Sequence, residues 1–303
     1  MAKFSATEQK VISIFEKTKN NSKKINFMKN DWKIIKVAKP TASKGEPKTD
    51  VYLLLENNTG AKHEIKISIK QNNADFLENK MSAKRAEVYF GSNWKSVIEK
   101  NTLEIKDKFE NKILIFKNKY KRVEKGSITL GWKYEFLNKL NGELSAEIDV
   151  DLNEVYKGIG LDTDKKNAFI NGERINNSGI ADYLLFVDTT SIYTDAQSII
   201  DSLILIDHYI KENPKVYFAC KALNYRTLKV PAKWDGNRPL SVFVNWTIVD
   251  GKLNHEIIYN NPLNVKGNEV AEKLKLALES LNIQNTDNIT MTNIVDNSIV
   301  YTT

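Results

Sequence analysis

The stretch that most restricts the fold is DVYLLLENNTGAKHEIKISIK, residues 50 to 70, two alternating runs around a polar turn. Apolar side chains at every second position are the pattern of a half-buried strand, so the segment predicts a β-hairpin with strands over 50–56 and 62–70. Loop length then decides which side chains share a face. A two-residue turn at Asn57-Asn58 would set Asp50 across from Ile65 and mix polar with apolar positions. A three-residue loop, Asn58-Thr59-Gly60, with Gly60 in the left-handed region, pairs Asn57 with Ala61 instead. In that register Asp50 faces Ser68, and Val51, Leu53 and Leu55 share an apolar side with Ile65, Ile67 and Ile69. Glu64, Lys66, Ser68 and Lys70 share the other side with Asp50.

The flanks predict what the hairpin packs into. Val11, Ile12, Ile14 and Phe15 fall at near-helical spacing and predict an amphipathic helix over 6–19. WKIIKVAKP (32–40) reads as a strand closed by proline. ADFLENKMSAKRAE predicts a helix over 74–87, and buried strands follow at 112–117 and 128–137. The order helix, three strands, helix, strand describes an α/β layer with a mixed sheet. A change of character near residue 140 predicts a domain of residues 1–140 and an α+β domain of residues 141–303. In the latter, ADYLLFVD (181–188) reads as a strand and 194–213 as a helix capped by Thr194. KVYFACKAL reads as a strand, SVFVNWTIVDGKLNHEIIYN as a hairpin turning at Asp250-Gly251, and EVAEKLKLALESLN as a closing helix.

Charge and composition exclude several classes. Residues 1–140 hold 30 Lys+Arg against 16 Asp+Glu, a surplus of 14, whereas residues 141–303 hold 15 against 22, a deficit of 7. A basic half is what a chain that neutralises phosphates carries. A lysine-rich genome bias would be spread along the whole chain. The single cysteine, Cys220, rules out an intrachain disulfide framework and a Cys-based zinc site. His63, His208 and His255 are too scattered for a zinc motif, and His63 falls on the apolar side of the hairpin. DTDKKNAFINGE (162–173) has Lys166 and Asn167 where a calcium loop needs a ligand and a glycine. No Gly-rich phosphate loop is visible, so ATP hydrolysis is not expected. No apolar run reaches the roughly 18 residues of a membrane span, and the opening stretch lacks a signal-like apolar core. An intracellular chain without a membrane anchor is the expectation.

The motif GEPKTD…EIKISIK resembles the PD-(D/E)xK nuclease superfamily, whose type II restriction endonucleases carry an aspartate on one strand and an acidic-x-Lys triplet on the next. In element order the likeness extends over residues 6 to 117. It implies a restriction-endonuclease-like core and a Mg²⁺-dependent DNA endonuclease that hydrolyses phosphodiester bonds in double-stranded DNA, with sequence-specific, restriction-type cutting as the leading form. It also implies a cytoplasmic setting in a bacterial cell or phage-infected host, allows a homodimer whose two sites address two strands, and leaves DNA recognition or dimerisation to the second domain. In that family the aspartate and a second acid hold the metal ion and the lysine orients or deprotonates the attacking water.

Carried onto this chain, Asp50 is a metal ligand and two triplets compete for the rest. Glu64-Ile65-Lys66 has the plain form, but Glu64 lies four residues from the position facing Asp50, about 13 Å along a strand. Ser68-Ile69-Lys70 lies at the right place with serine in the acidic slot, as in the variant where a glutamate of the following helix supplies the carboxylate. Glu78 is the first choice for that glutamate and Glu87 the second. The expected catalytic set is therefore Asp50, Ser68, Lys70 and Glu78, with Asp50 and Glu78 on the metal and Glu64 and Lys66 as the alternative. Pro47 stands three residues before Asp50 rather than beside it.

The basic residues expected at nucleic acid are Lys44 and Lys48 in the loop ahead of Asp50, Lys80, Lys84 and Arg85 on the 74–87 segment, and Lys121 and Arg122 in FKNKYKRVEKG. Each has a plainer reading, as surface loop, solvated helix face or edge-strand guard. Glu8 and Glu16 on the first helix read as solubilisers, or as outer metal ligands in some members of the fold. The rival functions are a nuclease-like DNA-binding protein without cleavage and a structural or interaction protein whose lysines serve solubility.

Overall fold

The computed structural model describes residues 6–71, 76–79, 81–117, 126–187, 193–227 and 233–301. It falls into two units, one made of Met1–Asp75 and Val150–Pro214, the other of Phe76–Asp149 and Lys215–Thr303. The first stretch holds helix α1 (Ala6–Asn20) and strands β1 (Lys24–Phe27), β2 (Asn30–Ala38), β3 (Val51–Asn57) and β4 (Lys62–Gln71). The second holds β5 (Phe76–Glu78), α2 (Ala83–Phe90), α3 (Trp94–Leu103), α4 (Lys106–Glu110), β6 (Ile115–Phe116), β7 (Ser127–Leu137) and β8 (Ser145–Ile148). The chain then returns to the first unit with α5 (Leu152–Lys157), α6 (Thr163–Lys166), β9 (Phe169–Ile170), β10 (Glu173–Arg174), β11 (Tyr183–Val187), α7 (Ala196–Asp201), β12 (Ile204–Leu205) and α8 (Ile206–Glu212). It finishes the second with β13 (Val216–Thr227), β14 (Lys233–Trp234), β15 (Val242–Val249), β16 (Lys252–Ile258), α9 (Gly267–Ser280) and β17 (Val300–Tyr301).

In the first unit the sheet order is β1-β2-β3-β4-β11-β12. The first four strands run as an antiparallel meander, and β11 lies parallel to β4, with Tyr183 beside Ile67 and Val187 beside Gln71. The hairpin takes the expected register: Val51 pairs with Ile67 and Leu53 with Ile65. Its loop closes through Asn57 N–H to Ala61 O and Gly60 N–H to Asn57 O. Gly60 has φ +80°, and the Asn57 side-chain oxygen accepts from Thr59 and Ala61 N–H, both at 3.0 Å. An Asx-type turn and a left-handed glycine thus fix the loop at three residues.

Register decides burial. Val51, Leu53, Leu55, Ile65 and Ile67 are fully buried in one cluster with Val11 and Phe15 of α1 and Ala196, Ile199 and Ile200 of α7. Each such side chain contributes roughly 1.5–3 kcal/mol by leaving water, so a one-residue slip would forfeit the whole face. A bulge between Ile34 and Lys36 keeps both Ile34 and Val37 inward on β2. The opposite face is covered by a smaller cluster of Ala38, Tyr52 and Ile170.

Several expectations need correction. The 74–87 helix is instead strand β5, which pairs with β7, and helix α2, which begins where the Ser82 hydroxyl accepts from Arg85 N–H at 3.2 Å. The 112–117 strand shortens to Ile115–Phe116 and pairs with β7 and β17 in the second unit's sheet, not with the hairpin. The 194–213 helix is split into α7 and α8 by β12, and its cap is Asp195, which accepts from Ser198 N–H at 2.8 Å, rather than Thr194. Nor does a boundary at residue 140 follow the units, because strand pairing is non-local and brings residues 150–214 back to β4. The class is mixed α/β. No described helix is long and apolar enough to cross a membrane.

The second unit's sheet runs β14-β13-β7-β15-β16, with β5 and β6 also on β7 and β8 on β13. Its β15–β16 hairpin turns at Asp250-Gly251, both at positive φ, as the dipeptide predicts. Cys220 is buried on β13. The charge asymmetry of the sequence dissolves on folding. The first unit carries 20 Lys+Arg against 19 Asp+Glu, a net +1, and the second 25 against 19, a net +6.

Candidate functional site

In an antiparallel meander the end of one strand lies beside the start of the next. At one end of the first unit's sheet this rule gathers the residues after β2, before β3 and along the last turn of β4. Asp50 N–H donates to Ile67 O at 2.8 Å, the last rung of the β3–β4 ladder on that side. Its carboxylate oxygen Oδ2 accepts from Ile69 N–H at 2.7 Å, and the buried Ser68 hydroxyl donates to the same oxygen at 3.4 Å. Asp50 therefore faces Ser68, as the 50–68 pairing requires, and Lys70 follows two residues on, about 7 Å along the strand.

Asp50 is half-buried, and burial pushes its carboxyl up from 3.8 to about 6. Lys70, the Ile69 N–H and Lys39 act the other way, while the negative charge of Glu8 adds to the rise. Glu8, Lys39 and Lys70 thus all lie within electrostatic reach of Asp50. Glu8 and Lys39 form an ion pair of 2.5 Å, with side chains only 15% and 8% exposed.

Glu64 accepts from the Tyr52 hydroxyl at 2.6 Å, and Lys66 pairs with Asp182 at 3.0 Å, so the alternative triplet is engaged in contacts of its own farther along β4. Glu78 is on β5 in the second unit, where it takes Arg85 Nε at 3.2 Å and the Tyr89 hydroxyl at 3.1 Å. The 74–87 helix expected to carry it is at this point a strand paired to β7. Glu87 is on α2, in that same unit. Arg85 bonds Glu78 and Tyr89, its guanidinium 4.1 Å above the Tyr89 ring. Lys84 is exposed on α2. Lys44 is exposed and Lys48 half-buried in the loop ahead of Asp50, which is held by Lys48 and Thr49 N–H to Gly179 O and by Ser43 to Asp164. Lys80, Lys121 and Arg122 lie outside the described residues.

Sequence reasoning undervalued Glu8 and passed over Lys39. The signal was present: Glu8 is three residues before Val11 and seven before Phe15, so it continues the buried stripe of α1. Lys39 is two residues after Val37 and shares its inward side. A charged residue on each of two apolar stripes, at the same end of the sheet, is what an enclosed ion pair requires.

The donor chemistry suits a hard divalent cation. Mg²⁺ takes oxygen ligands and binds through one or two carboxylates together with water and substrate phosphate. Asp50, Glu8 and Ser68 provide two carboxylates and a hydroxyl, and the upward push of Glu8 on Asp50 is the mutual repulsion a cation relieves. Among the described residues no cluster of three or more His, Cys, Asp or Glu forms a closed metal cage. No family model, curated protein or solved structure matches this chain.

Proposed function

We propose that the first unit hydrolyses phosphodiester bonds of DNA with Mg²⁺, in the manner of the PD-(D/E)xK nucleases its hairpin resembles. The observation that carries the reading is the gathering of Glu8, Lys39 and Lys70 around the half-buried Asp50 carboxylate, whose ionisation burial disfavours. Asp50 and Glu8 would hold the ion, which supplies Lewis acidity and an acidified water. The Ser68 hydroxyl and Ile69 N–H aim the Asp50 carboxylate. Lys39 pairs with Glu8 beside it. Lys70 places a positive charge where the phosphate would lie and orients the attacking water. Lys44 and Lys48 stand ahead of Asp50 to take the strand's backbone. Sequence-specific cutting of double-stranded DNA by a homodimer in the cytoplasm is the restriction-type form of this reading.

A second reading, DNA binding without cleavage, is favoured by one observation. Asp50 Oδ2 already satisfies the Ile69 N–H as a strand-end cap, a purely architectural task. Supercoiled plasmid of mixed sequence separates the two when incubated with wild type, Asp50→Asn and Lys70→Met, each with Mg²⁺ and with EDTA. Nicking or linearisation by wild type in Mg²⁺ alone, lost in both variants, is expected. An intact plasmid on a panel of substrates that together sample all six-base sites, with DNA retained in a gel shift, would replace the first reading by the second.

A further inference from the structure

The β1–β2 hairpin turns in two residues, Met28 and Lys29, because Phe27 pairs with Asn30. Both turn residues have positive φ, +52° and +62°, the type I′ sense whose twist matches the flanking strands. Asn-Gly is the pair that makes such a turn without strain, since in the left-handed region a Cβ crowds the following carbonyl. Here two long side chains occupy it, and Met28 is 60% exposed at the tip. Strain kept at an exposed tip, by residues that local propensity disfavours there, points to a task outside the fold.

The hairpin face turned away from the core is rich in lysine. One row across the sheet reads Lys24, Lys33, Glu56, Lys62, each opposite the next. Lys24 and Lys33 are like charges directly opposite, a pair that opposes folding. Both are exposed, as are Lys29 and Lys62. Lys24 Nζ donates to Asn58 Oδ1 at 3.1 Å, a neutral partner, and Lys29, Lys33 and Lys62 have no ion pair among the described residues. The acids beside them are the half-buried Glu56 and Asp31, which accepts from the Asn26 amide at 3.4 Å. The outer edge of β1 is closed, because the Gln197 side chain accepts from Asn26 N–H at 2.7 Å and donates to Asn26 O at 2.9 Å, which blocks pairing by an added strand. An acidic protein would answer the lysines but gives no reason for a methionine at a strained tip. Duplex DNA answers both, since its phosphates neutralise the row and its base steps accept an apolar wedge. We propose that the β1–β2 hairpin is a DNA-bending arm, with Met28 wedged into a base step from the minor groove and Lys24, Lys29 and Lys33 on the flanking phosphates. Along β2 the tip lies about 25 Å from the Asp50 end of the sheet, so the inference is separate from the cation site and stands without it.

A duplex of about 20 base pairs, with a fluorophore at each end and a central TA step, the kind most easily unstacked, tests it with the full chain in EDTA, where metal-dependent cutting cannot intervene. Energy transfer between the ends should rise when the wild-type chain binds, and more than for a duplex with a stiff A-tract at its centre. Met28→Asn combined with Lys29→Gly, the pair this turn favours, should raise the urea midpoint and lose the rise in energy transfer; a merely structural tip would move only the first. Lys24→Gln combined with Lys33→Gln should weaken binding about tenfold more at about 50 mM salt than at about 200 mM, since each phosphate contact adds roughly 0.9 to the salt slope. Asp50→Asn should bend the duplex as wild type does, so failure of the cation site leaves this result standing. No rise with either duplex at low salt, an unchanged rise in the folded Met28→Asn, Lys29→Gly chain, or polyglutamate binding as tightly as the duplex at equal charge would overturn the proposal.

Discussion

Replacing Asp50 by Asn should stabilise the first unit at neutral pH while removing any catalysis there. In the folded chain the Asp50 carboxyl is raised from 3.8 to about 6, chiefly by burial. Between those values the native state binds more protons than the unfolded chain, so stability is fully present below pH 3.8 and falls as pH rises through 6. Holding the carboxylate charged in the folded chain therefore costs about 3 kcal/mol at about pH 7.5, at roughly 1.4 kcal/mol for each tenfold change in proton affinity. Asparagine is nearly isosteric, keeps a carbonyl for the Ile69 N–H and never ionises, so it escapes that cost. Hydrogen exchange followed by mass spectrometry over β3 and β4, in EDTA, reads the first unit separately from the second. Protected amides of the Asp50→Asn protein are expected to exchange about 100-fold more slowly than wild type at pH 7.5 and at nearly the same rate at pH 4. Equal rates at both values, or faster exchange in the variant at pH 7.5, would refute the claim that the fold disfavours an ionised Asp50.

Lys39→Ala should destabilise the first unit by about 3 kcal/mol, because it strands the Glu8 carboxylate in a largely enclosed site; Glu8→Gln in the same background should restore part of the loss in a double-mutant denaturation cycle. Gly60→Ala should cost about 1 kcal/mol in urea melts: a Cβ there meets no neighbour within 4 Å, so only the φ of +80° resists it. Glu64→Gln should leave DNA cleavage unchanged where Asp50→Asn abolishes it, since Glu64 is engaged by Tyr52 rather than by the Asp50 group; a matching loss in both variants would restore the Glu64-Ile65-Lys66 triplet.

The hairpin was legible because period-two alternation, an Asn at the turn entrance and one glycine suffice to fix its register, and the register places Asp50 opposite Ser68. The β15–β16 hairpin was legible for the same local reasons. What failed was non-local. No local pattern announces that Tyr183–Val187, rather than residues 112–117, lies beside β4, since both read as short buried strands. The boundary at 140 rested on a local change of composition, and the 74–87 helix on apolar spacing that the structure divides into strand β5 and helix α2. Charge counting failed similarly: the surplus of residues 1–140 is real in the sequence, but the chain deals it out between two units so that the Asp50 unit is nearly neutral. The ion pair of Glu8 with Lys39 was half legible, as two charges on apolar stripes whose meeting only the sheet arrangement specifies.

The cation site itself can be watched at a single atom. Titration of the Asp50 side-chain carboxyl by ¹³C NMR, with and without saturating Mg²⁺, follows the group on which the catalytic reading turns. Without the ion the midpoint should fall near 6, and with it below about 4, because a bound cation favours the charged form. A midpoint near 6 that Mg²⁺ does not move would contradict the assignment and leave Asp50 as a strand-end cap.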